Sequence, residues 1–220
     1  MKTIQRHDNW VDSSWALIRV LYYFLGLPSL VFLAFASVII YSNNGPSEPG
    51  SGLGFLFLFV WCGIIFPLGF RRVSIIRRRR QLKQMVTMLS SDERFSPQKH
   101  HQVMDAGRGK YLGVDIRSGN LLYIHMVKKG VVDVIGLTMR DWTDSELEGS
   151  TLRLNTRNPE VPVLSINAHP TVAKELFNTI SAMSHKSYSE SFPQEPWPEY
   201  VGRQSRFVEF EHNVVVPQVV

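Results

Sequence analysis
Residues 20–41 read VLYYFLGLPSLVFLAFASVIIY and residues 53–70 read LGFLFLFVWCGIIFPLGF, and neither stretch holds a charged side chain. As helices, 22 residues span about 33 Å and 18 residues about 27 Å at 1.5 Å per residue. A bilayer's hydrocarbon core is about 30 Å thick, so each run is long enough to be read as a transmembrane helix. Between them, residues 42–52 contain Asn43, Asn44, Gly45, Pro46, Pro49, Gly50 and Gly52, the composition of a turn. The pair therefore predicts a transmembrane hairpin over 20–70. Gly26, Pro28 and Pro67 fit such helices, where neighbouring groups satisfy the backbone that a proline frees.

Charge orients the hairpin. Lys2, Arg6 and Arg19 precede it, and Arg71, Arg72, Arg77, Arg78, Arg79, Arg80 and Lys83 follow it. The turn carries no Lys or Arg and one acid, Glu48. The positive-inside rule then puts residues 1–19 and everything after residue 70 in the cytoplasm, with 42–52 in the periplasm of a bacterial inner membrane. Ala34-Phe35-Ala36 has the small-residue spacing of a signal-peptidase site. The apolar run continues through Val38-Ile39-Ile40-Tyr41, so an uncleaved span is expected. Apart from the thiol of Cys62, the runs hold no ionisable group to mark an ion pathway, which favours an anchor over a pore. Ala34, Ala36, Ser37 and Gly63 are small enough to let the two helices approach closely.

The seven basic residues of 71–83 exceed the whole chain's net charge of +5. The basic character is therefore local, a belt suited to contact with anionic lipid at the membrane surface. No aromatic residue interleaves Arg77–Arg80, so nucleic acid is not the expected partner. Leu82, Met85, Val86 and Leu89 recur at helical spacing and extend the helix to about Leu89. Such a stripe either pairs with a second subunit in a homo-oligomer or packs on the domain that follows, and the second is the expectation. Ser96 as N-cap, Pro97 at the first turn and Gly107 as stop predict a further short helix, completing a connector over 71–109.

From Lys110 the apolar period shortens. Tyr111–Ile116, Leu121–Val127, Val131–Thr138, a strand around Trp142, Thr151–Thr156 and Val161–Ile166 read as strands separated by turn residues. Pro162 marks the last as an edge or bulged strand. Val172, Leu176, Ile180 and Met183, widened by Ala173 and Phe177, form one face of a helix over 170–183. The predicted class is membrane-anchored α+β: the hairpin, then an antiparallel β-meander closed by a helix over 110–183. That order is similar to the pleckstrin-homology-like domains of bacterial membrane proteins. Residues 184–220 form a Pro-rich tail, extended around Phe192–Tyr200 and strand-like over Phe207–Val216.

Signals for catalysis are few. Gly107-Arg108-Gly109-Lys110 lacks the spacing of a phosphate loop, and Tyr111 stands where a hydroxyl for magnesium belongs. His101 and Asp105 are four apart on the predicted helix, with no third ligand at metal spacing. His125 falls in a strand. One cysteine allows neither an internal disulfide nor a thiolate metal cluster. No enzyme, metal or cofactor is expected.

Taken whole, the chain resembles the entry (surface) exclusion proteins of IncI-type conjugative plasmids, the ExcA type. The resemblance is carried by Met1-Lys2-Thr3-Ile4-Gln5-Arg6-His7-Asp8-Asn9-Trp10, by the hairpin with Arg77–Arg80, and by Tyr111–Met126. It extends over essentially all 220 residues. It implies that a cell already holding the plasmid blocks redundant transfer by recognising an inner-membrane conjugation protein of the donor, the TraY type. The residues alone also fit a lipid- or signal-responsive regulatory module of the envelope.

Overall fold
A computed structural model describes residues 18, 20–44, 52–186, 188 and 195–217. The flanking charges Lys2, Arg6 and Arg19, most of the predicted 42–52 turn, and Phe192–Gln194 lie outside the described residues. The chain divides into two compact units, Met1–Ser74 and Ile75–Val220.

In the first unit, a π-helical turn over Tyr22–Gly26 leads into helix α1 (Leu27–Asn44), and helix α2 starts at Gly52 and ends at Leu89 in the second unit. The π turn precedes Pro28, whose ring would crowd the carbonyl four residues earlier in a regular helix. Each helix contains an 18-residue stretch long and apolar enough to cross a membrane, with mean hydropathies of 2.2 in Tyr22–Ile40 and 1.8 in the apolar part of Gly54–Leu89. They are not core helices of a soluble fold. Phe24, Phe32, Phe35, Phe55, Phe59, Phe66 and Phe70 are all exposed, all round the helices. Each such side chain left in water forgoes about 1.5–3 kcal/mol of burial.

The small residues do allow close contact. The Tyr22 hydroxyl donates to the Gly63 carbonyl at 2.7 Å. A Cβ on Gly63 would sit 3.3 Å from Leu30 Cδ1. Ala34 and Ser37 are buried, and the Ser37 hydroxyl donates back to the Ala34 carbonyl at 2.8 Å.

The second unit contains two antiparallel sheets. The first has the order β1 (Gln102–Asp105), β2 (Lys110–Asp115), β3 (Asn120–Lys128), β4 (Val131–Leu137). The second has the order β5 (Trp142–Glu148), β6 (Thr151–Thr156), β7 (Val163–Asn167). Helix α3 (Pro170–Ser184) and helix α4 (Trp197–His212) follow. The chain leaves the first sheet at Thr138–Asp141, where the Asp141 carboxylate accepts from the Thr138 amide at 2.7 Å and its hydroxyl at 2.6 Å. This tight turn ends the first sheet, so the expected single meander becomes two sheets. β7 is an edge strand directly after Pro162, as that proline requires.

Strand pattern explains the layering. In β6 and β7, buried residues alternate with more exposed ones, so one face meets the core and one meets solvent. β2–β4 are buried on both faces. Leu112, Val114, Leu121, Tyr123, Ile135 and Leu137 face Leu152, Leu154, Leu164 and Ile166 of the second sheet and Leu176, Ile180 and Met183 of α3. On the opposite face, Tyr111, Leu122, Ile124, Val132 and Val134 are covered by the end of α2 and by α4. The covering side chains are Leu82, Met85 and Leu89 from α2 and Trp197, Val201 and Val208 from α4, all buried. The stripe at the end of α2 thus packs within its own chain.

Three expectations are corrected. The helix from Pro97 to Gly107 is instead a short 3₁₀ turn, Lys99–His101, followed by β1, so the sheet starts at Gln102 rather than Lys110. Pairing of Gln102–Asp105 with Gly113–Lys110 buries Val103, which a surface helix would leave less covered. Gly107 and Gly109 belong to the β1–β2 hairpin turn. Gly109 has φ +69 and packs so closely on Met126 that a Cβ would come within 2.9 Å. Phe207–Val216 is not a strand. Its greater part is α4, and Val215 makes an isolated parallel bridge with Val131. The Pro-rich tail 184–220 therefore includes a core-bearing helix. Pro196 caps that helix and Pro198 occupies its first turn, where a missing N–H costs nothing.

Candidate functional site
Arg71, Arg72, Arg77, Arg78, Arg79, Arg80 and Lys83 all lie on α2 and are all exposed. Four consecutive residues of a helix are spaced about 100° apart, so Arg77–Arg80 form a collar round α2 rather than a stripe. In the first unit, the Arg71 guanidinium lies 5.2 Å from the centre of the Tyr23 ring. In the second, Arg78 falls on the same face as Leu82, Met85 and Leu89. Its Nη1 reaches the Gly107 carbonyl of the β1–β2 turn at 3.2 Å. Arg77, Arg79 and Arg80 are exposed.

The far end of the same sheet face carries a ladder of aromatic rings and arginines. Phe95 stacks on Trp197 at 5.2 Å, and Trp197 on Tyr200 at 5.7 Å. Trp197 Nε1 donates to the Leu121 carbonyl at 2.9 Å in a buried hydrogen bond. The Arg94 and Arg203 guanidinium groups lie 4.6 and 5.7 Å from the Tyr200 ring centre. Glu195 binds both: its carboxylate pairs with Arg203 at 2.8 Å and its carbonyl accepts from Arg94 at 3.2 Å. Gly136 makes this close approach feasible. A Cβ there would meet Val201 Cγ2 at 2.6 Å and Trp197 Nε1 at 3.0 Å. The stripe Trp197, Val201, Ser205, Val208 has helical spacing and was readable in the sequence, but the prolines before it and the valines after it masked it.

The residues considered for chemistry lie on several different elements. His101 is buried on the 3₁₀ turn, its ring 3.9 Å from that of His100. Burial, reinforced by His100, holds its pKa below the usual histidine range against the opposing pull of Glu175 and Asp115. Asp105 lies on β1 instead of a shared helix face, and its carboxylate accepts from the Arg108 amide at 3.1 Å. Asp115 is buried and accepts from the amides of Ser96 and Arg117 at 3.0 and 2.9 Å. His125 sits in β3 opposite Asp133 of β4. Lys110 Nζ ties the two sheets together, reaching Ser165 O at 2.8 Å and Oγ at 2.9 Å, and desolvation lowers its pKa. Among the described residues, no three His, Cys, Asp or Glu side chains are grouped to hold a metal ion.

What the geometry offers is a basic collar on a long helix and a folded unit with its first sheet covered on both sides. Such parts suit binding at a surface. No curated protein and no solved structure matches the chain. The model of the exclusion-determining protein family matches residues 1–220, the full length of the sequence. The chain belongs to the exclusion-determining protein family.

Proposed function
We propose that this protein acts in the recipient cell to exclude redundant conjugative transfer by a plasmid of the IncI type. It recognises an inner-membrane conjugation protein of the donor, the TraY type, through protein–protein contact without catalysis. The observation that carries this reading is the family match over the whole chain. The two exposed apolar helices fit an anchor in the bacterial inner membrane. The arginine collar on α2, after its apolar run, fits cytoplasmic placement of the folded unit and of both termini, and contact with anionic lipid.

We also read residues 102–184 as a pleckstrin-homology-like fold. Four antiparallel strands, then three, then a helix packed on the core between them support that reading. The end of α2 and α4 are additions that cover its first sheet from outside.

Mating tests the function. Recipients expressing this chain alone should receive a matching plasmid less often than recipients without it, and an unrelated plasmid equally often. Equal transfer of the matching plasmid in both recipients overturns the reading.

A further inference from the structure
Helix α4 has two apolar faces, and its role in the core accounts for one of them. Trp197, Val201 and Val208 are buried against the first sheet. Phe207 and Phe210 point the other way and are 64% and 88% exposed. Among the described residues of the folded unit, these are the two exposed phenylalanines. Arg206 is exposed beside them on the same turn.

The position of this pair in the unit can be derived. Trp197 reaches Leu121 at the start of β3, and Val201 lies against Gly136 near the end of β4. From Val201 to Phe210, α4 advances about 13 Å. From Gly136 back to Val132, β4 covers about 13 Å as well. Phe210 is therefore level with Val132, next to the β3–β4 turn. The chain after α4 confirms the direction: the Val215 amide donates to the Gly130 carbonyl at 2.8 Å, and the Val132 amide to the Val215 carbonyl at 3.0 Å. Val215 is itself 49% exposed.

The same end holds positive charge. Lys128 and Lys129 are exposed at the β3–β4 turn. The neighbouring β1–β2 turn accepts the Arg78 hydrogen bond, and the Met126 amide donates to its Gly109 carbonyl at 2.8 Å. The chain thus enters the unit, through Ile75–Arg80, at the end where the exposed phenylalanines lie. The acids at this end are Glu209, whose carboxylate accepts from the Val216 amide at 2.6 Å, the exposed Glu211, Asp105, whose carboxylate accepts from the Arg108 amide, and the buried Asp133; Arg78, Arg108, Lys128, Lys129 and Arg206 outnumber them.

We propose that Phe207, Phe210 and Val215, flanked by Arg206, Lys128 and Lys129, rest in the headgroup region of an anionic bilayer. They give the folded unit a second lipid contact besides the arginine collar. The occupant is lipid because cations rim the apolar edge, and because the run immediately upstream of Arg71 is the one that crosses the membrane in the function proposed above, on which this inference rests. Aromatic rings with flanking cations are the side chains that settle at such an interface.

The test uses the full chain with Cys62→Ser, carrying Phe210→Cys or, at the opposite end of the sheet, Arg117→Cys. Each is labelled with an environment-sensitive fluorophore and reconstituted in nanodiscs containing phosphatidylglycerol. Lipids brominated in the acyl chain should quench the probe at 210 several-fold more than at 117, and less strongly in discs of phosphatidylcholine alone. A probe at 210 that iodide in water quenches as it does at 117, with no effect of bromolipid, overturns the contact. So does a probe shielded equally in detergent with energy transfer between copies, which would seat a second chain there. Failure of the protein to enter discs at all refutes the hairpin instead.

Discussion
Replacing Gly136 with alanine should loosen α4 from the first sheet. The added Cβ would lie 2.6 Å from Val201 Cγ2, 2.9 Å from its Cβ and 3.0 Å from Trp197 Nε1. Carbon atoms rest at about 3.5–4.0 Å, so the helix has to retreat by roughly 1 Å. Overpacking of this kind costs about 1–3 kcal/mol. Alanine recovers roughly 0.5–1 kcal/mol of backbone entropy relative to glycine in a strand. The net loss is therefore about 0–2.5 kcal/mol, centred near ~1 kcal/mol, and each kcal/mol lowers the midpoint by roughly 2–4 °C for a unit of this size. The assay is thermal unfolding of the detergent-solubilised full chain, followed by tryptophan fluorescence, since Trp197 borders the clash. Val201→Ala removes the closest atom. In the double variant the two losses should fall short of their sum by more than the roughly 0.3–0.5 kcal/mol of ordinary non-additivity. A stabilising Gly136→Ala, or losses that simply add, would refute the packing of α4 on β4.

Other expectations follow from burial and charge. Burial lowers the pKa of His101, so the unfolded chain binds the extra proton first; stability should fall as pH drops through the unfolded histidine pKa of about 6.5, and His101→Asn should flatten that slope in midpoint-against-pH curves. Tyr111 has its pKa raised by burial, so stability should fall above the unfolded tyrosine pKa of about 10, and Tyr111→Phe should remove that alkaline loss at the expense of a hydrogen bond to Gln102. Replacing Arg77–Arg80 with serine should weaken retention of the downstream unit in the cytoplasm, read as partial periplasmic activity of a reporter fused after Val220; unchanged orientation would assign topology to Arg71, Arg72 and the N-terminal cations alone.

Much of this fold was legible because its signals are periodic. The uncharged runs, the stripe from Leu82 to Leu89, and the alternation of Leu152 and Leu154 each name an element and the face it buries. β1 was not legible. Gln102–Asp105 is four residues long, and Ser96-Pro97 ahead of it imitates the start of a helix. α4 was hidden by prolines that mark its beginning and by Phe207 and Phe210, which belong to no core and blur its stripe. One clue to it was present: β2, β3 and β4 are apolar on both faces, so the outer face needed a cover that α2 alone is too narrow to supply. The division into two sheets depends on a local turn at Asp141, which carries no periodic signal. The arginine collar was read directly, whereas the aromatic ladder required knowing that Phe95, Trp197 and Arg94 meet.

The central claim is that two apolar helices cross the membrane and leave the folded unit in the cytoplasm. Cysteine labelling tests it most directly. In a Cys62→Ser background, Ser47→Cys in the predicted periplasmic turn and Val163→Cys on exposed β7 are each treated with a membrane-impermeant thiol reagent in intact spheroplasts. The account predicts labelling at 47, and at 163 only after the membrane is opened. Labelling of 163 in sealed spheroplasts, with 47 protected, would contradict it.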